Sequence, residues 1–165
     1  MRLPRWAPWV QGVLAGSPAI TGVQTFADAG ITGKPCGHVI TLRTGAAVAI
    51  QWVRTSASGG EDQSQPEEPV TGQPPAPVTL PELPASGRVA LTLVEEHLAA
   101  LIVNGGSDEI RAVERTSQRP DQGSAKCGVN VHMHSGATVF AVFLYTASAG
   151  ASITSGGEFQ QREQV

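Results

Sequence analysis

The chain carries the same pattern twice, and this repeat constrains its fold more than any other feature. Residues 36–59, CGHVITLRTGAAVAIQWVRTSASG, align without a gap on residues 127–150, CGVNVHMHSGATVFAVFLYTASAG. Upstream, GSPAITGVQTF (16–26) aligns on GSDEIRAVERT (106–116) when the offset changes by one residue. Such self-similarity is typical of a duplicated structural unit. The alternative is chance similarity between two hairpins rich in Ala, Gly and Val.

Each copy begins with a segment that has a helical pattern. In the second copy, apolar residues recur on one helical face, and Thr92 and Glu95 have the spacing of a capping box, which predicts a helix over about 93–104. In the first copy a similar apolar stripe predicts a shorter helix over about 7–15, because Pro8 fits only a first turn. Both helices are followed by glycine, which commonly ends a helix.

Three strands are predicted after each helix. The second and third strand of each copy form a hairpin around Gly45 or Gly136, since tight hairpin turns favour glycine. The last strand of the second copy, TVFAVFLY, is apolar on both faces, which predicts a central or covered position. The predicted strands are 19–26, 38–43, 47–54, 109–116, 129–134 and 138–145.

The sequence therefore predicts an α+β fold of internally duplicated α-β-β-β units with antiparallel sheet and a pseudo-two-fold axis. The units are 1–55 and 88–146, and 147–165 is predicted to be a flexible tail. Between the units, residues 56–87 hold seven prolines, five acids and no base, so this linker is predicted to be disordered or extended. The two units either stack their sheets or join strands into one six-stranded sheet.

The stretch CGVNVHMH raises the question of a metal site. His132 and His134 are two residues apart in a predicted strand and so share one face, and Cys127 lies five residues before His132. In the first copy Thr41 and Arg43 occupy the two histidine positions, which is a pattern of surface residues. The favoured reading is therefore two surface histidines, and a metal site formed by His132, His134 and Cys127 is the alternative.

Charge is distributed unevenly along the chain. Residues 1–55 contain five bases, one acid and three tryptophans, while the linker is purely acidic. Basic and aromatic side chains together can bind single-stranded nucleic acid, which makes Arg5, Arg43 and Arg54 candidate contacts. Core positions for the tryptophans are the favoured reading, and the acids of the linker are an internal counterpart for the same arginines.

Cysteine content and hydropathy predict a cytoplasmic protein without a membrane span. Cys36 and Cys127 occupy equivalent places in the repeat, and the favoured reading is two buried small side chains, with a disulfide or thiol pair as the alternative. No stretch approaches the ~20 apolar residues of a transmembrane helix. Pro8, Gln11 and Gly12 interrupt the apolar N-terminal segment, which argues against a signal peptide.

No motif for nucleophilic, phosphate-binding, zinc-protease or dinucleotide chemistry occurs in the chain. We therefore expect a non-catalytic binding or structural accessory protein that acts through a surface, requires no cofactor and has an as yet unknown protein partner. A metal-binding protein and a nucleic-acid accessory factor are the two alternatives.

The opening WVQGVLAGSPAITGVQTF (9–26) and the helix end HLAALIVNGG (97–106) give the chain a weak similarity to a group of known proteins. With its composition, these stretches resemble the small uncharacterised proteins carried by actinobacterial mobile elements and prophages. Neither stretch is a functional motif, so the resemblance implies no activity.

Overall fold

The computed structural model describes residues 1–120, 126–151, 153 and 164–165, and all named helices and strands lie in this part of the chain. A short 3-10 helix, Thr116–Gln118, follows the fourth strand. In chain order the remaining elements are α1 (Leu3–Ala15), β1 (Ile20–Thr25), β2 (Gly37–Leu42), β3 (Ala47–Thr55), α2 (Leu91–Asn104), β4 (Ile110–Arg115), β5 (Gly128–Met133) and β6 (Thr138–Ala147). The chain thus has an α+β fold.

The six strands form a single antiparallel sheet in the order β1-β2-β3-β6-β5-β4. The first half of the protein, α1 to β3, supplies one side of this sheet, and the second half, α2 to β6, supplies the other. The halves join where β3 pairs with β6, from Ala47 opposite Ala147 to Thr55 opposite Thr138. The prediction that the doubly apolar strand is central is confirmed, and of the two predicted arrangements the single sheet is the observed one.

Both helices pack on one face of the sheet, which we call the helix face, and the opposite face is the outer face. Alternate residues of β2, β3, β5 and β6 meet the helices in one apolar core. Trp6 of α1 lies 5.6 Å from Trp52 of β3, measured between ring centroids, and both side chains are fully buried. Core positions for these two tryptophans are therefore confirmed.

Both helices begin earlier than the sequence predicted. Helix α1 starts at Leu3, because Pro4 fills the first-turn position, and Pro8 lies inside the helix on its exposed side. Helix α2 starts at Leu91 with Ala90 as N-cap and without a side-chain cap, so the predicted capping box of Thr92 and Glu95 is wrong. The Glu95 carboxylate is buried on the sheet side instead, where other donors hold it.

The strands lie within two residues of their predicted bounds. The two hairpin turns use Gly45 and Gly136, each with a φ of +84°, a conformation that other residues rarely adopt. Both edge strands carry a register shift near their start, between Ile20 and Gly22 in β1 and between Ile110 and Ala112 in β4. The local signals of the sequence thus determine the hairpins.

The linker contains no helix or strand, but it contacts the body along its length. Glu61 binds Arg2, with 2.9 Å between Oε1 and Nε. Further on, the backbone of Val78 exchanges two hydrogen bonds of 2.9 Å with the side chain of Asn104. Leu83, near the end of the linker, is buried in the helix-side core. The linker therefore runs over the helix side of the protein.

The predicted tail falls mainly outside the described residues, which exclude 152 and 154–163. Of the rest, Ala147 still belongs to β6. At the other end, Gln164 forms an isolated antiparallel bridge with Ala90, and the Val165 side chain is buried. These last two residues thus pack beside the start of α2.

Candidate functional site

The two histidines of the HMH stretch have separate partners. His132 lies on the outer face, where its Nδ1 is 3.2 Å from the Thr138 hydroxyl and its Nε2 is 3.2 Å from a Glu114 carboxylate oxygen. The second contact lacks hydrogen-bond geometry and is an ion pair only when His132 is protonated. His134 follows the end of β5 and its Nε2 is 3.1 Å from the Gln73 carbonyl oxygen in the linker.

Cys127 does not join the histidines. Its side chain belongs to the helix-side core, whereas His132 lies on the outer face. Burial and the nearby Glu95 carboxylate raise the pKa of the Cys127 thiol to about 11, which disfavours the thiolate that binds metals. Within the described ranges, no group of three or more His, Cys, Asp or Glu side chains could hold a metal ion. No disulfide joins Cys127 to Cys36, both of which the structure describes.

The arginines proposed for nucleic-acid binding all contact internal acceptors. Arg5 Nη2 lies 2.7 Å from Glu109 Oε1, and Arg54 Nη1 lies 2.7 Å from Glu61 Oε2 in the linker. Arg43 donates a hydrogen bond of 2.7 Å to the Leu83 carbonyl. Polyanion binding through these arginines stays a prediction, and it would require them to give up their contacts with the linker and with Glu109.

Glu61 is the centre of the contact between the linker and the basic first half. Hydrogen bonds from Arg2 and Arg54 hold the pKa of the Glu61 carboxyl at about 2. This carboxylate therefore stays charged, and able to bind both arginines, throughout the physiological pH range.

Glu95 is a buried carboxylate that sequence reasoning had placed at a helix end. Its Oε1 accepts hydrogen bonds of 2.9 Å from the backbone N–H groups of Ser117 and Gly128, and its Oε2 accepts from the Ser117 hydroxyl. The Arg115 guanidinium lies 3.3 Å from Oε2 and supplies a counter-charge. Glu95 thus fastens α2 to the segments that precede and follow the loop between β4 and β5.

Two further histidines are buried, and sequence reasoning gave them no role. His97 of α2 contacts the Ser17 hydroxyl through Nε2 at 2.9 Å and the Pro81 carbonyl through Nδ1 at 2.6 Å. His38 Nδ1 accepts a hydrogen bond of 2.8 Å from Trp52 Nε1 and is therefore unprotonated. Both rings act as structural connections, and His97 joins α1, α2 and the linker.

Acidification is expected to destabilise the protein through these two histidines. Burial lowers the pKa of both His38 and His97 below the usual 6.5, although the bond to Pro81 partly opposes this at His97. The unfolded chain then binds protons first, so the contribution is fully present above pH ~6.5 and is lost as the pH falls below that value.

Urea unfolding at a series of pH values tests this expectation. The free energy of unfolding should be flat from about pH 8 to 7 and should fall as the pH drops below about 6.5, by up to ~1.4 kcal/mol per pH unit for each histidine. His97→Gln, which does not titrate, should show a shallower fall. A stability that rises on acidification over this range would contradict the assignment.

The outer face is covered in the first half. Phe26, which follows β1, and Ile31 pack on Val39 and Ala49 together with Leu144 from β6. Phe26 is only 3% exposed, and its ring lies so close to Gly37 that a Cβ at this glycine would overlap it. The outer face is therefore covered at Val39 of β2 and Ala49 of β3.

The same face of the second half contains a pocket of about 230 Å³. Asn130 takes the place in β5 that Val39 takes in β2, as the third residue of each strand. Thr116 is the first residue after β4, as Phe26 is the first residue after β1. Thr116 lies next to Gly128, and Phe26 lies next to Gly37. The pocket is lined by these two polar residues together with Val53, Arg119, Phe140 and Val142, among others.

Asn130 is the unusual member of this pocket. The residue is only 5% exposed, and its side-chain amide forms no hydrogen bond within the part of the chain that the structure describes. The amide is not cut off from solvent: it opens into the pocket, where a polar group of a ligand can bind it. Beside it, Val53 of β3 is 39% exposed, one of three large apolar side chains described as exposed.

Comparison of the chain with family models, with curated proteins and with solved structures gave no match. Neither helix of the described chain is long and apolar enough to cross a membrane. The interpretation of the site therefore depends on its geometry.

Proposed function

We propose that the protein is a non-catalytic binding protein whose interaction surface is the outer face of its second half. The observation that carries this proposal is the difference between the two halves of one sheet. Phe26 and Ile31 cover the face in the first half, whereas Val53, at the end of β3, stays 39% exposed beside its partner Phe140 in the second half. Contiguous exposed apolar surface is typical of an interaction site, and here it continues from Val53 to Phe140 and Val142 in the pocket.

The buried titratable groups support a role without catalysis. Glu95 is bound by backbone N–H groups, by Ser117 and by Arg115, and His97 is held between Ser17 and Pro81. Both residues thus join segments of the fold. The pKa of the Cys127 thiol is raised, so this buried thiol is a poor nucleophile at neutral pH.

A duplication of one α-β-β-β unit, with a pseudo-two-fold axis between β3 and β6, is part of the same proposal. The burial patterns of β1 and β4 are identical, as are those of β2 and β5. The register shifts of the edge strands and the glycines of the hairpin turns also coincide. After such a duplication, one copy can keep a sealed outer face while the other opens it for binding.

Disruption of the exposed apolar surface tests the proposal. The wild-type chain, Val53→Glu and Val70→Glu are used as baits under identical conditions, and captured proteins are compared quantitatively by mass spectrometry. Val70, in the linker, is the matched control because it is an exposed valine as well, at 46%. We expect at least one protein to be retained by wild type and Val70→Glu and reduced about tenfold or more with Val53→Glu, because a buried charge at an interface is costly.

Circular dichroism should show all three baits to be folded. Capture that is the same with Val53→Glu as with wild type would contradict the use of this face.

A further inference from the structure

We propose that the outer-face pocket binds a tyrosine side chain presented by the protein partner, an inference that deepens the proposed function and rests on it. The first step is the shape of the pocket. In the first half the equivalent space is filled by the Phe26 ring, which packs against Gly37. In the second half Thr116 stands at that position and offers only a hydroxyl and a methyl group, so room for a ring is open above Gly128.

The second step is the chemistry of the pocket floor. Val39 lies under Phe26 in the first half, whereas Asn130 lies in the pocket of the second half with an amide that has no partner among the described residues. An amide can donate to and accept from a hydroxyl group. A ring that carries a hydroxyl group can therefore hydrogen-bond to the Asn130 amide, whereas a plain phenyl ring covers the amide without bonding to it.

The third step is the surroundings of the pocket. Phe140 provides an aromatic wall, and aromatic pairs favour stacked or edge-to-face contact. The apolar surface continues to Val53 at the rim, so a ligand that fills the pocket alone would leave Val53 exposed. A residue on a protein surface covers both, and tyrosine is enriched at protein interfaces because it combines a large ring with a polar end.

The pocket can be tested without knowledge of the partner. The ¹⁵N-labelled full chain is titrated with p-cresol, which is the tyrosine side chain, and with toluene, which is the phenylalanine side chain. We expect p-cresol to shift the backbone resonances of β5 and β6 and the side-chain amide of Asn130, with a Kd on the order of 1 mM, as suits so small a ligand. Toluene should bind about tenfold more weakly, because it leaves the amide without a partner.

Two variants introduce into the second half the residues that occupy the equivalent positions of the first half. Thr116→Phe fills the space as Phe26 does and should abolish the p-cresol shifts, while Thr71→Phe, at an exposed linker position, should leave them unchanged. Asn130→Val should remove the preference for p-cresol over toluene, because valine cannot hydrogen-bond to the hydroxyl group. If Thr116→Phe does not fold, Asn130→Val still tests the proposal.

The absence of p-cresol shifts at β5 and β6, or shifts that persist unchanged in Thr116→Phe, would overturn the tyrosine pocket. An equal affinity of the wild-type protein for toluene and p-cresol would overturn it as well. These failures can be distinguished from failure of the proposed function. Capture that depends on Val53, without p-cresol binding, would support the partner surface and contradict the tyrosine pocket. Binding of p-cresol without Val53-dependent capture would contradict the proposed partner surface.

Discussion

We expect the replacement of Glu95 by alanine to lower the free energy of unfolding by about 3 kcal/mol. The carboxylate is fully buried and accepts hydrogen bonds from two backbone N–H groups, those of Ser117 and Gly128. Its removal takes the carboxylate acceptor away from both N–H groups and leaves Arg115 without its buried counter-charge. Each lost partner of this kind costs about 1–3 kcal/mol.

The neighbouring acid is a matched control. Glu96 also forms an ion pair with Arg115, at 3.0 Å, but it is 46% exposed, and exposed pairs contribute little because solvent screens them. Glu96→Ala should therefore change the stability by less than about 1 kcal/mol. Urea unfolding of the two variants and the wild type decides the matter. Equal effects of both substitutions would mean that Glu95 does not fasten α2 to the segments around the β4–β5 loop.

Trp52→Ala is expected to destabilise the protein by about 4 kcal/mol. The side chain is 1% exposed, contacts Trp6 of α1 and donates a hydrogen bond to His38. Its truncation leaves a large cavity between helix and sheet, and such cavities cost about 3–5 kcal/mol. Trp52→Phe, which keeps part of the packing, should cost distinctly less.

The next residue of the same strand provides the comparison. Val53 points to the outer face and is 39% exposed, so Val53→Ala should change the stability by no more than about 0.5 kcal/mol. Thermal or urea unfolding of both variants measures the difference between the two faces at adjacent positions. Comparable losses would show that the outer face of the second half is packed more tightly than its exposure indicates.

The helices and strands could be predicted because their signals are local. Alternating apolar residues around Gly45 and Gly136 determine the hairpins, since only glycine takes the required positive φ without strain. The helix starts lie upstream of the predicted ones, because Pro8 lies inside α1 and not in its first turn, and Thr92 and Glu95 do not form a cap. In both cases the chain just upstream supplies a better start, at Leu3 and Leu91.

The candidate site could be predicted much less well, because its members are distant in sequence. Nothing in the sequence around Glu95 shows that Ser117 and Gly128 approach it, so its spacing from Thr92 indicated a helix cap instead. The same is true of His97, which meets the linker at Pro81. Alignment of the two copies held the clue to the pocket, since it pairs Phe26 with Thr116 and Val39 with Asn130. The two histidines of the HMH stretch are the more conspicuous sequence signal, but neither lines this pocket.

The pairing of β3 with β6 has a consequence for synthesis on the ribosome. Thr55 and its partner Thr138 are separated by about 80 residues, so β3 is made long before the strand that covers its edge. At roughly 5–20 residues per second, that edge is open for on the order of 5–15 seconds. During this time AVAIQWVRT is an uncovered template for strand addition by other nascent chains. The protein is thus most prone to aggregation while it is half made, and a chaperone that shields this strand would raise its yield.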